Sequence, residues 1–226
     1  MAAGPALATK VKGSVDGFRD LVNPVWHEAR DPARHLYSFR EPVPTVRSEF
    51  RALFPHIPKE LCIAAISTEA QKPPKPILIR VGGGRTTPVT IVVTPGTELQ
   101  FQNTDPFTHR LYGVGIPTFQ PNDTMKGGIR GFSVTAPGTF EIRDEAAPSV
   151  RMWIVAEPRV AAIAYPSMKG DFVLTVEAAG TYDVVAYFAG KKIGTPQKVE
   201  IAAKDIGLDK PLVVAEKGKT KKEEGE

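Results

Sequence analysis

Residues 101–112 read FQNTDPFTHRLY, and residues 140–153 read FEIRDEAAPSVRMW. In the first stretch an alternating run, ELQFQN, leads into Asn103-x-Asp105 and then His109. In the second, another alternating run, FEI, leads into the polar segment Arg143-Asp144-Glu145. The first is a strand delivering a potential ligand into a loop. The second is a strand that ends in charge, and no Cys or His follows it. Period-two alternation over five or six residues, closed by Asn, Asp, Pro or Gly, is the pattern of a half-buried strand.

The same pattern extends outward in both directions. ILIRVGG and PVTIVVT precede the first stretch, with Pro95-Gly96 as a turn between strands, and GFSVTAPGTFEIRD lies between the two. RMWIVAEPRVAAIAYP, GDFVLTVEAAGTYDVVAYFAGKKIG and QKVEIAA follow. Short apolar or alternating runs between Pro-Gly, Gly-Asp and Ala-Gly turns predict an all-β protein built of sandwiches. Upstream, KVKGSV reads as a strand closed by Asp16-Gly17, and ELCIAAI (60–66) reads as a buried strand. Residues 18–58 carry Pro at 24, 32, 42, 44, 55 and 58, too many for a long helix or a central strand. They predict an irregular excursion ordered by Trp26, Tyr37 and Phe39, with one helical turn near 47–54. QKPPKP (71–76) reads as an extended linker.

The chain has 226 residues, of which 42% are hydrophobic and 24% charged, with 21 Pro and 20 Gly. This is ordinary globular composition with many turns, in a chain long enough for one large or two small domains. The net charge of +4 comes from scattered residues. That argues against nucleic acid as a partner. No run of 18 apolar residues occurs, which excludes a helical membrane span. Cys62 is the single cysteine, so no internal disulfide and no Cys-cluster metal site can form. In its apolar run it reads as a buried, inert thiol. Ala6-Leu7-Ala8 has the small-x-small form of a cleavage site, but neither a basic nor an apolar signal region precedes it. Residues 1–8 are therefore either a signal-peptide remnant or an unstructured terminus. The Lys- and Glu-rich end, 204–226, is expected to be a disordered charged tail.

PVTIVVTPGTELQFQNTDPFTHRLY (88–112) resembles the plastocyanin-like cupredoxins, and APGTFEI resembles their Pro-Gly-x-Tyr strand. In that family this strand leads to a Cys, a second His and often a Met, because blue copper is held by two imidazoles and a thiolate with a weak axial sulfur. Aligned on Pro148 and Arg151, the resemblance places Asp144 at the thiolate position, Ala147 at the second imidazole and Val150 at the thioether. Only His109 survives. The resemblance thus implies a Greek-key cupredoxin-like sandwich over 76–158 with no metal and no cofactor. His109, Arg143, Asp144 and Arg151 are the candidate cluster, either a recognition patch or a set of ion pairs anchoring loops where the metal would be. His27, His35 and His56 fit no compact ligand motif.

The run VAAIAYP, Gly170-Asp171, FVLTV, Ala-Gly-Thr-Tyr, DVVAYF resembles the carboxypeptidase regulatory-like domains, small Ig-like or prealbumin-like sandwiches often joined to such cupredoxins. The implied domain is discontinuous, 9–70 with 160–203, and the cupredoxin-like unit is inserted within it. GGGRTT (82–87) lacks the Lys-Ser/Thr of a phosphate cradle and reads as a loop joining two strands. No nucleophile with an activating base is recognisable.

The expectation is a non-enzymatic periplasmic or secreted binding or structural module, with no catalytic residues and a protein partner in the cell envelope. The alternatives are a copper-binding electron carrier using His109 and a carbohydrate-binding module using Trp26, with Trp153 assigned to a strand core.

Overall fold

The computed structural model describes residues 8–22, 24, 55–202 and 204–215. Within these, Thr9–Asp16 (β1) and Leu61–Ser67 (β2) come before the first hairpin. A single helical turn, Ile57–Glu60 (α1), leads into β2. Pro58 stands at its first turn, where the missing N–H costs nothing. The Glu60 carboxylate accepts the His56 N–H at 3.1 Å, satisfying the donor at the start of the turn. The turn expected near 47–54 lies outside the described residues, as do Trp26, Tyr37, Phe39, His27, His35 and residues 216–226. The tail expected to be disordered over 204–226 is overturned in its first part: residues 204–215 carry two short strands parallel to β1, and Leu212 and Val214 are buried, because these apolar side chains complete a core.

Eight strands follow: Ile77–Gly82 (β3), Arg85–Thr87 (β4), Thr90–Val93 (β5), Glu98–Asn103 (β6), Leu111–Gly113 (β7), Ile129–Ser133 (β8), Gly138–Asp144 (β9) and Arg151–Ala156 (β10). They form two sheets, ordered β4-β3-β6-β8 and β5-β10-β9-β7. β3 and β4 make a hairpin across Gly83-Gly84. The chain then crosses to the other sheet as β5 and returns through Pro95-Gly96 to lay β6 parallel to β3. Gly96, at φ 93°, supplies the left-handed residue this turn requires.

The alternation seen in the sequence sets which side chains enter the core. In β6, Leu99, Phe101 and Asn103 point inward while Glu98, Gln100 and Gln102 point out. In β9, Ile142 and Asp144 are buried while Glu141 and Arg143 are half-exposed. Between the sheets lies a core that includes Ile79, Phe101, Phe132, Ile142, Met152 and Ile154. One polar side chain from each of two strands, Asn103 and Asp144, thereby reaches inward at a strand end.

The remaining strands are Val160–Ala164 (β11), Asp171–Val176 (β12), Gly180–Phe188 (β13), Lys191–Ile201 (β14), Ile206–Gly207 (β15) and Leu212–Val213 (β16). They join β1 and β2 in a second sandwich, with one sheet ordered β11-β2-β13-β14 and the other built on β1. β1 pairs with β12 on one side and, in parallel, with the short β15 and β16 on the other. Val11, Ile63, Phe172, Leu174, Val184 and Leu212 are among its core residues.

All seven residues of β2 are buried because both its faces are covered. Leu61, Ile63 and Ala65 face the second core, while Cys62, Ala64 and Ile66 face a seam with Val92, Val185 and Tyr187. Such a strand reads as a continuous apolar run rather than an alternating one. In that seam burial pushes the Cys62 thiol up to about 12 and the Tyr187 phenol likewise to about 12. Tyr165 donates its hydroxyl to the Thr90 carbonyl at 2.8 Å, giving the outer side of β5 a partner from the second sandwich.

Trp153 is half-buried on the outward face of β10, not in a core. Its ring approaches the β13–β14 turn, where a Cβ on Gly190 would stand 3.0 Å from the indole and 2.8 Å from Thr139.

Candidate functional site

The inward end of β6 organises the site. Asn103 donates through Nδ2 to the carbonyls of Phe107 (2.7 Å) and Thr124 (2.8 Å), and its Oδ1 accepts the Asp105 N–H at 2.8 Å. One buried amide thus holds the 104–108 loop and the distant Thr124 segment together. His109 and Thr124 exchange both main-chain bonds, at 3.0 and 2.8 Å, which fixes the His109 backbone.

The His109 side chain is fully buried. Nδ1 lies in short contact with Oδ2 of Asp144, itself 3% exposed, and Nε2 lies 3.1 Å from Oδ2 of Asp105. The other oxygen of Asp144 accepts the N–H groups of Arg110 at 3.0 Å and Ala146 at 2.8 Å. Both oxygens of Asp105 accept the Gly83 N–H at 3.0 Å. A hydrogen-bonded line therefore runs from the end of β9, through the imidazole, to the β3–β4 turn. The Phe107 ring packs on the imidazole with centroids 4.7 Å apart, while 47% of Phe107 remains exposed. Carboxylates that accept two or three donors in a buried setting form the stronger class of hydrogen bond.

Of the four residues singled out in the sequence, the fold brings His109 and Asp144 together and does not bring Arg143 or Arg151 to them. Arg143 follows Ile142 and precedes Asp144 on one strand, so it projects from the opposite face of the sheet. There its Nε pairs with Glu141 at 2.8 Å, and Arg151, directly across on β10, lies 4.0 Å from the same carboxylate. The anchor at the strand ends is a histidine between two aspartates instead of an arginine–carboxylate fork. Asp105 was visible in the sequence only as part of Asn103-x-Asp105, and its tie to Gly83, 22 residues earlier, depends on the β3–β6 register.

Arg130 was not singled out at all. Its guanidinium donates to the carbonyls of Leu111 and Gln120 and packs 4.0 Å from the Phe119 ring centre, holding the 114–124 loop over the core.

The donor set does not fit copper of the blue type, which needs two imidazoles and a thiolate. Both nitrogens of His109 face carboxylates, Ala147 packs on the core, and Val150 is a buried hydrocarbon. Cys62 lies in the seam between the sandwiches. Among the described residues no group of three or more His, Cys, Asp or Glu is placed to hold a metal ion. No helix among them is long and apolar enough to cross a membrane.

No established protein family matches the sequence, and no curated protein does. Solved structures that it resembles include the purple cupredoxin from Nitrosopumilus maritimus, at 15% identity and a TM-score of 0.33, over 36% of this chain and 99% of that one. Amicyanin from Paracoccus versutus is similar at 12% identity and a TM-score of 0.34, over 42% of this chain and 97% of that one. The structure itself defines the class: an all-β protein of two sandwiches, with a buried polar triad at one end of the first.

Proposed function

We propose that the chain is a non-enzymatic, extracytoplasmic binding or structural module for a protein partner in the cell envelope. Its first sandwich is a cupredoxin-like frame without copper, and its second a carboxypeptidase regulatory-like, Ig-like unit. The observation that carries this reading is the occupancy of both His109 nitrogens by Asp144 and Asp105. The imidazole that would bind a metal instead ties β9 to the β3–β4 turn through the two aspartates. The Ig-like assignment draws support from Tyr182, whose hydroxyl donates to the Ala178 carbonyl at 2.9 Å, four residues upstream. A tyrosine hydroxyl returned to the backbone a few residues upstream is also a feature of Ig-like sandwiches.

Copper(II) titration followed by visible absorption tests the reading. The expected spectrum has no intense thiolate-to-copper band. An intense blue band that His109→Ala abolishes would overturn it.

A further inference from the structure

Among the described residues β8 is an open sheet edge. It pairs with β6 alone, in unbroken register from Glu98↔Ser133 to Gln102↔Ile129. The bonds Val134 N–H to Thr97 and Asn103 N–H to Gly128 flank this ladder. With the two-residue alternation of an antiparallel pair, they turn the main-chain groups of Arg130 and Phe132 toward β6. Those of Ile129, Gly131 and Ser133 turn away from it, and none has a protein partner among the described residues.

Sheet edges are ordinarily blunted by proline, lysine, a bulge or a covering segment, and the other edges here are. β14 carries Pro196, Lys191 and Lys192, and the β13–β14 ladder shifts register between Val184 and Ala186. β11 is bulged near Ala161, and β12 runs against it. β5 is covered by the second sandwich, and β4 and β7 have three residues each. Among the described residues β8 has none of these devices: it lacks Pro and Lys, its ladder with β6 is unbroken, and nothing pairs with its outer side. Its one charge, Arg130, is drawn inward by the Leu111 and Gln120 carbonyls. On the edge strand itself Ile129 is 56% exposed.

We infer that β8 is a self-association edge, pairing antiparallel with β8 of a second copy of this chain about a two-fold axis at Gly131. The three open residues are evenly spaced, so this axis sets Gly131 against its own counterpart and Ile129 against Ser133 of the second copy. Each then exchanges both of its main-chain bonds, and two four-stranded sheets become one. A two-fold interface of this kind is self-complementary and closes. Gly131 leaves the axis free of side chains, and Ile129 gains cover from the second copy. The inference does not depend on the absence of copper, so the two can fail separately.

Sedimentation of the full chain over a concentration series, with mass from light scattering, tests it. A monomer–dimer equilibrium is expected. Gly131→Lys should weaken it at least tenfold with the circular dichroism spectrum unchanged, because a Cβ there meets nothing closer than Glu98 Oε1 at 3.6 Å. Gly131→Cys should form a disulfide-linked dimer under mild oxidation, since hydrogen-bonded antiparallel partners lie about 5.5 Å apart between Cα atoms. Ser133→Cys should not, because its own counterpart would be about 13 Å away. Cys62 is too buried to interfere. A monomer up to the solubility limit would overturn the inference. So would a dimer indifferent to Gly131→Lys, or one that Ser133→Cys links as readily as Gly131→Cys.

Discussion

The polar end of the first sandwich and the seam between the two sandwiches solve the same problem with opposite means. At the polar end, the loops are held by Asp144, His109 and Asp105, in a line of hydrogen bonds between strand ends. At the seam, β2, β5 and β13 are held by burial, and the polar atoms there, the Cys62 thiol and Tyr165 hydroxyl, serve β5. The contrast teaches where sensitivity should lie. Removing one member of a buried polar set leaves several groups unsatisfied at once, whereas trimming an apolar seam loses area and leaves a void.

The largest effect should come from Asp144→Ala. It strands the His109 ring and the N–H groups of Arg110 and Ala146, and breaking a buried pair in this way costs about 3–5 kcal/mol. Urea unfolding measures it. A loss under about 1 kcal/mol would put the polar end on the same footing as an exposed surface. In the seam, Val92→Ala should cost about 2 kcal/mol from lost apolar burial and the remaining void. Tyr165→Phe should cost about 1–2 kcal/mol by leaving the Thr90 carbonyl without its donor.

The seam should also respond to alkali. Cys62 and Tyr187 are each raised by burial to about 12, from 9.0 and 10.0. Above pH 9 the unfolded chain therefore loses these protons while the folded chain keeps them, and stability falls as pH rises from 9 toward 12. The urea midpoint should decline across that window. Cys62 should remain unmodified by a thiol reagent at pH 8 until the chain unfolds, because the thiolate is the reactive form.

The smallest effect should be that of Arg110→Ala. Its pairs with Asp123 and Glu145 are exposed, and such pairs contribute about 0–1 kcal/mol.

Much of the architecture was legible in the sequence because strand physics has a short period. ELQFQN announced which of its residues turn inward, and the unbroken run in ELCIAAI announced a strand covered on both faces. The same period places Arg143 opposite Asp144, so the separation of Arg143 from the polar end was available from adjacency alone. What adjacency could not supply was register. The approach of Asp105 to Gly83 depends on β6 lying parallel to β3, and the meeting of Arg151 with Glu141 depends on the β9–β10 ladder. Trp153 looked like core by composition. RMWIVA is apolar on both faces, so alternation could not say which set enters the core; Met152, Ile154 and Ala156 do, and Trp153 lies on the outward face near the β13–β14 turn.

A double-mutant cycle between His109→Ala and Asp144→Ala, read by urea unfolding, bears most directly on the claim that this pair anchors the loops. A coupling energy of about 2 kcal/mol or more is expected for residues sharing one buried network. Additive losses would contradict the account.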